Sequence, residues 1–302
     1  MALALGRSPH DDRNGKANGR RLNGVGLFAG IGGIELGFHR AGHKTNLLCE
    51  IEPGARAVLA AHFPDIKLHD DVTTLKSLPR GTQLLAGGFP CQDLSQAGKT
   101  KGIKGARSGL VGEVFRLIEK TKVPFLVLEN VPFMLQLARG EALEVIVAAL
   151  EHFGYRWAYR VVDSRAFGVP QRRERVLFVA CRDEDPRNIL LADDAGESPQ
   201  LGAYPDVACG FYWTEGIRGL GWAVNAVPTL KGGSTIGIPS PPAIVLPNGE
   251  IVKPEIRDAE RMQGFDADWT MPTESVTRAS HRWKLVGNAV TVGVFEWLGN
   301  RL

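Results

Sequence analysis

Two residues in the 302-residue chain sit where covalent and acid chemistry would need them. Cys91 stands in GGFPCQDLS, and the two glycines and the proline deliver it just past the apolar run QLLAGGFP, at the rim where parallel sheets keep their sites. A thiolate there is a strong nucleophile once its pKa is lowered. Taken alone, a cysteine is more often a small buried hydrophobe. The polar Gln92, Asp93 and Ser95 beside it speak against burial. Cys49, Cys181 and Cys209 lack such neighbours and read as core residues. Glu129 ends the apolar run of PFLVLENV together with Asn130. A carboxyl so placed is partly desolvated, which raises its pKa toward a useful acid range. The plainer alternative is a helix cap or the partner of an arginine.

A third feature could hold a cofactor. FAGIGG joins a first apolar run to a helical pattern, and such a turn lets backbone approach a ligand. Its Gly30-x-Gly32-Gly33 spacing matches the dinucleotide fingerprint imperfectly, and a plain tight turn would explain it as well. Glu50 lies 20 residues beyond Gly30 at the end of TNLLCE, where an acid holds ribose hydroxyls in such folds. The pair favours a nucleoside-containing cofactor. Asp71 ends a third strand-like run and suits either a cofactor polar group or the N-cap of DVTTL.

Charge gives only local signals. Residues 1–22 carry five basic and two acidic residues, which accounts for the whole net charge of +3 and leaves 31 of each elsewhere. Global charge therefore argues for no nucleic-acid partner. Seven arginines lie between Arg156 and Arg182 against Asp163 and Glu174, with VPQRRERV at their centre. Residues 97–108 add Lys99, Lys101, Lys104 and Arg107 without an acid. A cationic, glycine-laced loop beside a nucleophile suits a phosphate-bearing polymer. The four cysteines form no C-x-x-C pair, which argues against zinc ribbons, redox pairs and a disulfide scaffold, and no metal is expected. Free thiols imply a reducing compartment, the cytoplasm. Neither a secretion signal nor a membrane span is expected.

These residues need a scaffold. Short apolar runs at 25–29, 45–50, 66–72, 83–90, 124–131 and 175–182 alternate with helical patterns at 53–62, 109–121 and 141–152. Such alternation predicts an α/β fold with a mostly parallel sheet covered on both faces. Residues 1–22 read as a disordered tail. Residues 183–256, rich in Gly, Pro, Ser and Thr, read as a small loop-rich domain with a hairpin turn at PNGE. The α/β texture returns at 257–302, where DAERMQGF starts a helix and HRWKLVGNAVTVGVFEWLGNRL reads as one long helix packing back on the large domain.

In this order FAGIGG, Glu50, Asp71, GGFPCQDLS, GLVGEVFRLIE, ENV, VPQRRERV, RMQGF and VGNAV resemble the DNA (cytosine-5)-methyltransferase family, from about residue 25 to the C-terminus with one variable gap. The resemblance implies a Rossmann-like domain (23–182 and 257–302) that binds S-adenosylmethionine, and a target-recognition domain (183–256). It places Phe28, Ala29, Gly30, Gly32, Gly33, Glu50, Ile51, Asp71, Val72, Pro90, Asn288 and Val290 around the cofactor. Position 51 departs from relatives that carry an aromatic there. The resemblance makes Cys91 the nucleophile that adds to C6 of a flipped cytosine, with Glu129 on the base and Arg173 and Arg175 positioning the base and the Cys91 loop. Gln92, Ser95, Lys99, Arg107, Asn130 and Gln171 would face the substrate, and Arg218, Lys231 and Thr235 are candidate readers of double-stranded DNA. A compact bacterial or phage modification enzyme follows, acting as a monomer, with a restriction endonuclease as candidate companion. Three alternatives remain at this stage: a transfer-RNA cytosine-5 methyltransferase, a DNA-binding protein without catalysis, and a dinucleotide-dependent dehydrogenase. The last leaves PCQ, ENV and GNAV unexplained.

Overall fold

The computed structural model describes residues 19–89, 109–192, 202–212, 221–232 and 241–302. Strands β1 (Asn23–Leu27), β2 (Lys44–Cys49), β3 (Lys67–His69), β4 (Leu84–Gly88), β5 (Phe125–Asn130), β6 (Arg156–Asp163), β7 (Gln171–Arg172) and β8 (Glu174–Cys181) precede the variable segment. Seven of them form one sheet in the order β3-β2-β1-β4-β5-β8-β6. The first five run parallel. Strand β8 is antiparallel to both β5 and β6. The mostly parallel α/β class read from the sequence is the one observed.

Strand parity explains how both faces are covered. Leu85, Leu126, Leu128 and Phe178 point to one side, into a core shared with helices α3 (Leu110–Lys120) and α4 (Glu141–His152). Leu84, Ala86, Val127 and Val179 point to the other. There they meet α1 (Gly33–Arg40) and the last helix, with Phe38 edge-on to Phe295 at 5.8 Å. Every residue of β5 is buried, and each large apolar side chain so placed contributes about 1.5–3 kcal/mol. Helix α2 (Pro53–His62) belongs to a third cluster with Phe265, Trp269 and Leu285. No helix among the described residues is long and apolar enough to cross a membrane.

Four details differ from the sequence reading. Strand β1 covers 23–27, so Phe28 belongs to the turn, and β3 ends at His69, before Asp71. Strand β6 has no counterpart among the expected strands. The expected single C-terminal helix is two, α7 (His281–Asn288) and α8 (Val292–Gly299), with Ala289 extended between them. The break has a chemical cause. Arg173 takes the carbonyls of Gly287 and Ala289, and Gln263 takes those of Val286 and Ala289. A continuous helix would need those acceptors for its own N–H groups.

The variable segment holds a separate four-stranded sheet. After the short α5 (Arg187–Leu190), strands β9 (Cys209–Tyr212), β10 (Gly221–Val224), β12 (Ala243–Val245) and β13 (Ile251–Val252) pair in the order β10-β9-β12-β13. The PNGE turn closes the last hairpin, with Leu246 N donating to Glu250 O and Gly249 at φ 82°. Strand β11 (Val227–Pro228) pairs instead with β7, and α6 (Ile256–Arg261) returns the chain through a capping box between Glu255 and Asp258. At the N-terminal end of the described chain, Leu22 is buried and Arg20 pairs with Glu184 at 2.6 Å, so these two residues of the 1–22 stretch pack on the domain.

Candidate active site

The glycine-rich turn leaves β1 through Phe28, whose φ of 54° is unusual for a residue with a side chain. Gly30 and Gly32 also have positive φ. Ala29 N donates to Cys49 O and Gly32 N to Ala29 O, so the turn folds over the end of β2. A Cβ on Gly30 would meet nothing within 4 Å, whereas one on Gly33 would lie 2.8 Å from Val290 Cγ2. The turn therefore opens to solvent on one side and takes the α7–α8 connection on the other. That contact brings Val290 to the same place as Gly33. Asn288, two residues earlier, is exposed.

Glu50 sits beside the opening. Its carboxylate accepts from Gly30 N at 2.7 Å and from Glu52 N at 2.8 Å. Burial pushes its pKa up, and those N–H groups act against the push. Ile51 is 68% exposed, an apolar side chain left on the rim. Asp71 uses one oxygen to accept from Thr73 N, which holds its carboxyl below the usual range; residues 72–74 form a turn and not the helix an N-cap would start. Val72 is buried in the core beneath it.

Glu129 and Arg175 meet by register. In the β5–β8 pairing Glu129 stands opposite Leu177, so Arg175, two residues along β8, points to the same face. Arg175 Nε lies 2.9 Å from Glu129 Oε1. Burial raises the Glu129 pKa, opposed by the guanidinium groups of Arg175 and Arg173. Burial also lowers the Arg175 pKa, and Glu129 opposes that shift. Gly88 pairs with Glu129 in the sheet, and a Cβ there would come within 2.8 Å of Glu129 Oε2. The glycine leaves room for the carboxyl. Asn130 points to the opposite face and acts as a bracket. Its Nδ2 donates to Phe89 O and its Oδ1 accepts from Val131 N, both at 2.9 Å.

Pro90, Cys91, Gln92, Ser95, Lys99 and Arg107 lie outside the described residues, as do Arg218 and Thr235. The chain is described up to Phe89, two residues before Cys91. The other three cysteines are buried, and burial pushes the thiols of Cys49 and Cys181 up to about 12. Neither is a nucleophile at neutral pH.

Gln171 and Arg173 share the Arg175 side of the QRRER run, yet both are fully buried and bonded within the protein. Gln171 donates to Met262 O and accepts from Leu230 N. Arg173 donates to the carbonyls of Leu230, Gly287 and Ala289. Burial and the like charge of Arg175 lower its pKa. The two residues clasp the variable segment and the GNAV turn to the sheet. Lys231 places its ammonium 4.4 Å from the centre of the Tyr212 ring.

Sequence reasoning missed several supporting residues. Glu52 caps α2 and pairs with His281 Nε2 at 2.9 Å, tying the region after β2 to α7. Ser164, Thr291 and Gln263 form a buried hydrogen-bonded chain. Arg282 is buried against Glu260, with Asp268 and Glu274 also in contact. No spacing rule announces such pairs, because each joins distant segments. Among the described residues no His, Cys, Asp and Glu cluster could hold a metal.

The site thus sets a glycine-rich turn and a buried acid–arginine pair at the strand ends of a mostly parallel sheet. Residues 22–205 match the family of C-5 cytosine-specific DNA methylases, and the chain belongs to it. It is 50% identical over 291 residues to the Type II methyltransferase M2.BsuMI of Bacillus subtilis, covering 92% of this chain and 74% of that protein. It is also 30% identical to M.Bsp6I of a Bacillus species, over 91% of this chain and 96% of the relative. The protein is thus a cytosine-5 DNA methyltransferase of the bacterial modification type. The Dnmt2 methyltransferase of S. pombe shares the fold at a TM-score of 0.64 and 15% identity, covering 93% of this chain and 98% of that one.

Proposed function

We propose that the enzyme methylates C5 of a cytosine extruded from double-stranded DNA, through a covalent bond between Cys91 and C6. The observation that carries this reading is the buried Glu129–Arg175 pair. It sits at the strand end paired with Gly88, three residues before Cys91 in the chain. A stacked, paired cytosine hides C6 from a thiolate, so the base must leave the helix at a cost of roughly a few kcal/mol. In this reading the Cys91 thiolate adds to C6 and the C5–C6 π pair shifts toward C5. Glu129, its pKa raised by burial, stays protonated more readily and donates to N3, which accumulates the charge of the adduct. Arg175 fixes the carboxyl in place. After transfer a base takes the C5 proton, the C5–C6 double bond re-forms, and Cys91 leaves as thiolate.

The cofactor is S-adenosylmethionine, which supplies an electrophilic methyl group when bound. The residues present fit it. Above Gly30 there is open space, Glu50 offers a carboxylate for ribose hydroxyls, and Ile51 offers an exposed apolar face for the adenine. Residues 183–256, with their separate sheet, would read the target in the major groove. One extruded base needs only one such site, which supports a monomer, and a restriction endonuclease cutting the same sequence would be its companion in the cytoplasm.

The test is expression in a methylation-free host followed by bisulfite sequencing of that host's DNA, with Cys91→Ala as control. Protection of cytosines in one short motif, absent in the control, is the expected result. Unprotected DNA would overturn the reading and direct the search to transfer RNA.

A further inference from the structure

The segment that follows the ENV run is unusual in a way the reaction so far does not use. Phe133 is 64% exposed, although the next residue, Met134, is fully buried in the main core. The aromatic ring is therefore held out by a fixed backbone. Met134 N donates to Val131 O, and Val131 N donates to the Asn130 side chain, which also holds Phe89 O. The position of Phe133 is thus tied to both the Glu129 strand end and the strand end that leads to Cys91. Phe133 lies four positions after Glu129, and a chain of that length spans at most roughly 14 Å. Any nucleic acid with a base at Glu129 carries its flanking nucleotides into that range.

Five residues further on, Ala138 and Arg139 adopt left-handed backbone conformations at φ 51° and 59°, immediately before Gly140 at φ 94°. Residues with a Cβ rarely do so twice in succession. Arg139 is exposed, and among the described residues its side chain makes no hydrogen bond or ion pair. It is also the only charged residue between Glu129 and Glu141. An exposed aromatic ring and an unpaired arginine, with no acid between them, suit a nucleotide face and a phosphate.

We propose that Phe133 and Arg139 form a DNA contact beside the active site: Phe133 packs on a nucleotide flanking the extruded cytosine, and Arg139 takes a nearby phosphate. This contact rests on the reading of Glu129 as the residue that holds the base.

The full chain is tested on a duplex carrying the motif that bisulfite sequencing defines. Phe133→Ala should weaken duplex binding about tenfold, and Phe133→Trp should restore it, because stacking is what is lost. Arg139→Asn tolerates the left-handed backbone, so the fold is kept while the charge goes. It should reduce the slope of log Kd against log salt by about one, and Arg139→Lys should keep the slope. Binding of S-adenosylmethionine and the melting temperature should stay at wild-type values in all four variants. Unchanged duplex affinity and salt slope, with methylation intact, would overturn this contact and leave the active-site reading standing. An affinity loss that tracks a falling melting temperature would also overturn it. A wild-type enzyme that leaves DNA unmethylated would remove the underlying reading, and the contact with it.

Discussion

Glu35 offers a test of the energetics under the glycine-rich turn. It lies on α1 at 2% exposure, and neither carboxyl oxygen has a hydrogen-bond partner among the described residues. The carboxyl covers Gly26 of β1, where a Cβ would fall 1.9 Å from Oε1. Desolvation, with a smaller push from Glu50, raises its pKa from 4.5 to about 8. The unfolded chain releases that proton near 4.5, and the folded chain keeps it until about 8. Stability is therefore whole below the lower value and falls as pH rises through the interval. At 1.36 kcal/mol per unit the loss is about 2 kcal/mol near pH 6 and about 4 kcal/mol near pH 8. Glu35→Gln keeps the shape and stays neutral at every pH. Urea denaturation of wild type and variant from pH 5 to 8 isolates this group, since all other titrations cancel in the difference. The variant should exceed wild type by about 1 kcal/mol at pH 5 and gain steadily to about 4 kcal/mol near pH 8. A gap that stays constant with pH would refute the reasoning.

Glu129→Gln should lower turnover by orders of magnitude and leave S-adenosylmethionine affinity near wild type, because in the proposed reaction the carboxyl contacts the base and not the cofactor. In wild type the rate should fall as pH rises through the raised Glu129 pKa, since the protonated form is the donor; a rate that climbs across that range would contradict the role. DNA with 5-fluorocytosine at the target should trap the enzyme, because fluorine cannot leave as a cation. Mass spectrometry should find the adduct on a peptide containing Cys91, and its absence there would remove the nucleophile assignment. Arg173→Met takes the donor away from the carbonyls of Leu230 and Gly287, while Ala289 O keeps Gln263, and should cost about 2 kcal/mol or more in urea denaturation; a loss below about 1 kcal/mol would show that the clasp is dispensable.

What the sequence made legible was local. Helices at 53–62 and 141–152 appear with those bounds, because apolar spacing and flanking Pro53 or Gly140 mark them within one segment. Strand β5 was readable as an unbroken apolar run because both faces of a parallel sheet are covered. Strand β6 was not. It is an edge strand whose pattern mixes exposed Tyr159 and Val161 with buried Ala158 and Val162, and its arginines pointed to an anion surface instead. The C-terminal break was illegible for a different reason: apolar periodicity runs through it, and the carbonyl acceptors are claimed by Arg173 from more than a hundred residues away. Glu129 announced itself as an acid at a strand end, and its pairing with Arg175 required the register of β8.

The clasp formed by the QRRER run has a consequence for how such a chain can change. Gln171 holds the N–H of Leu230, Arg173 the carbonyl of Leu230, and Arg172 the carbonyl of Trp222, while β11 pairs with β7 through the main chain. Every one of these bonds reaches backbone on the variable side. Backbone is the same whatever side chain it carries, so these bonds set few demands on the spelling of the segment they grip. Among the described residues the segment's own side chains enter the joint at few places, where Thr229 Oγ1 donates to Arg172 O and Val227 and Leu230 pack against Ala259 and Val286, so changes elsewhere in it leave the half that carries the large sheet unrevised.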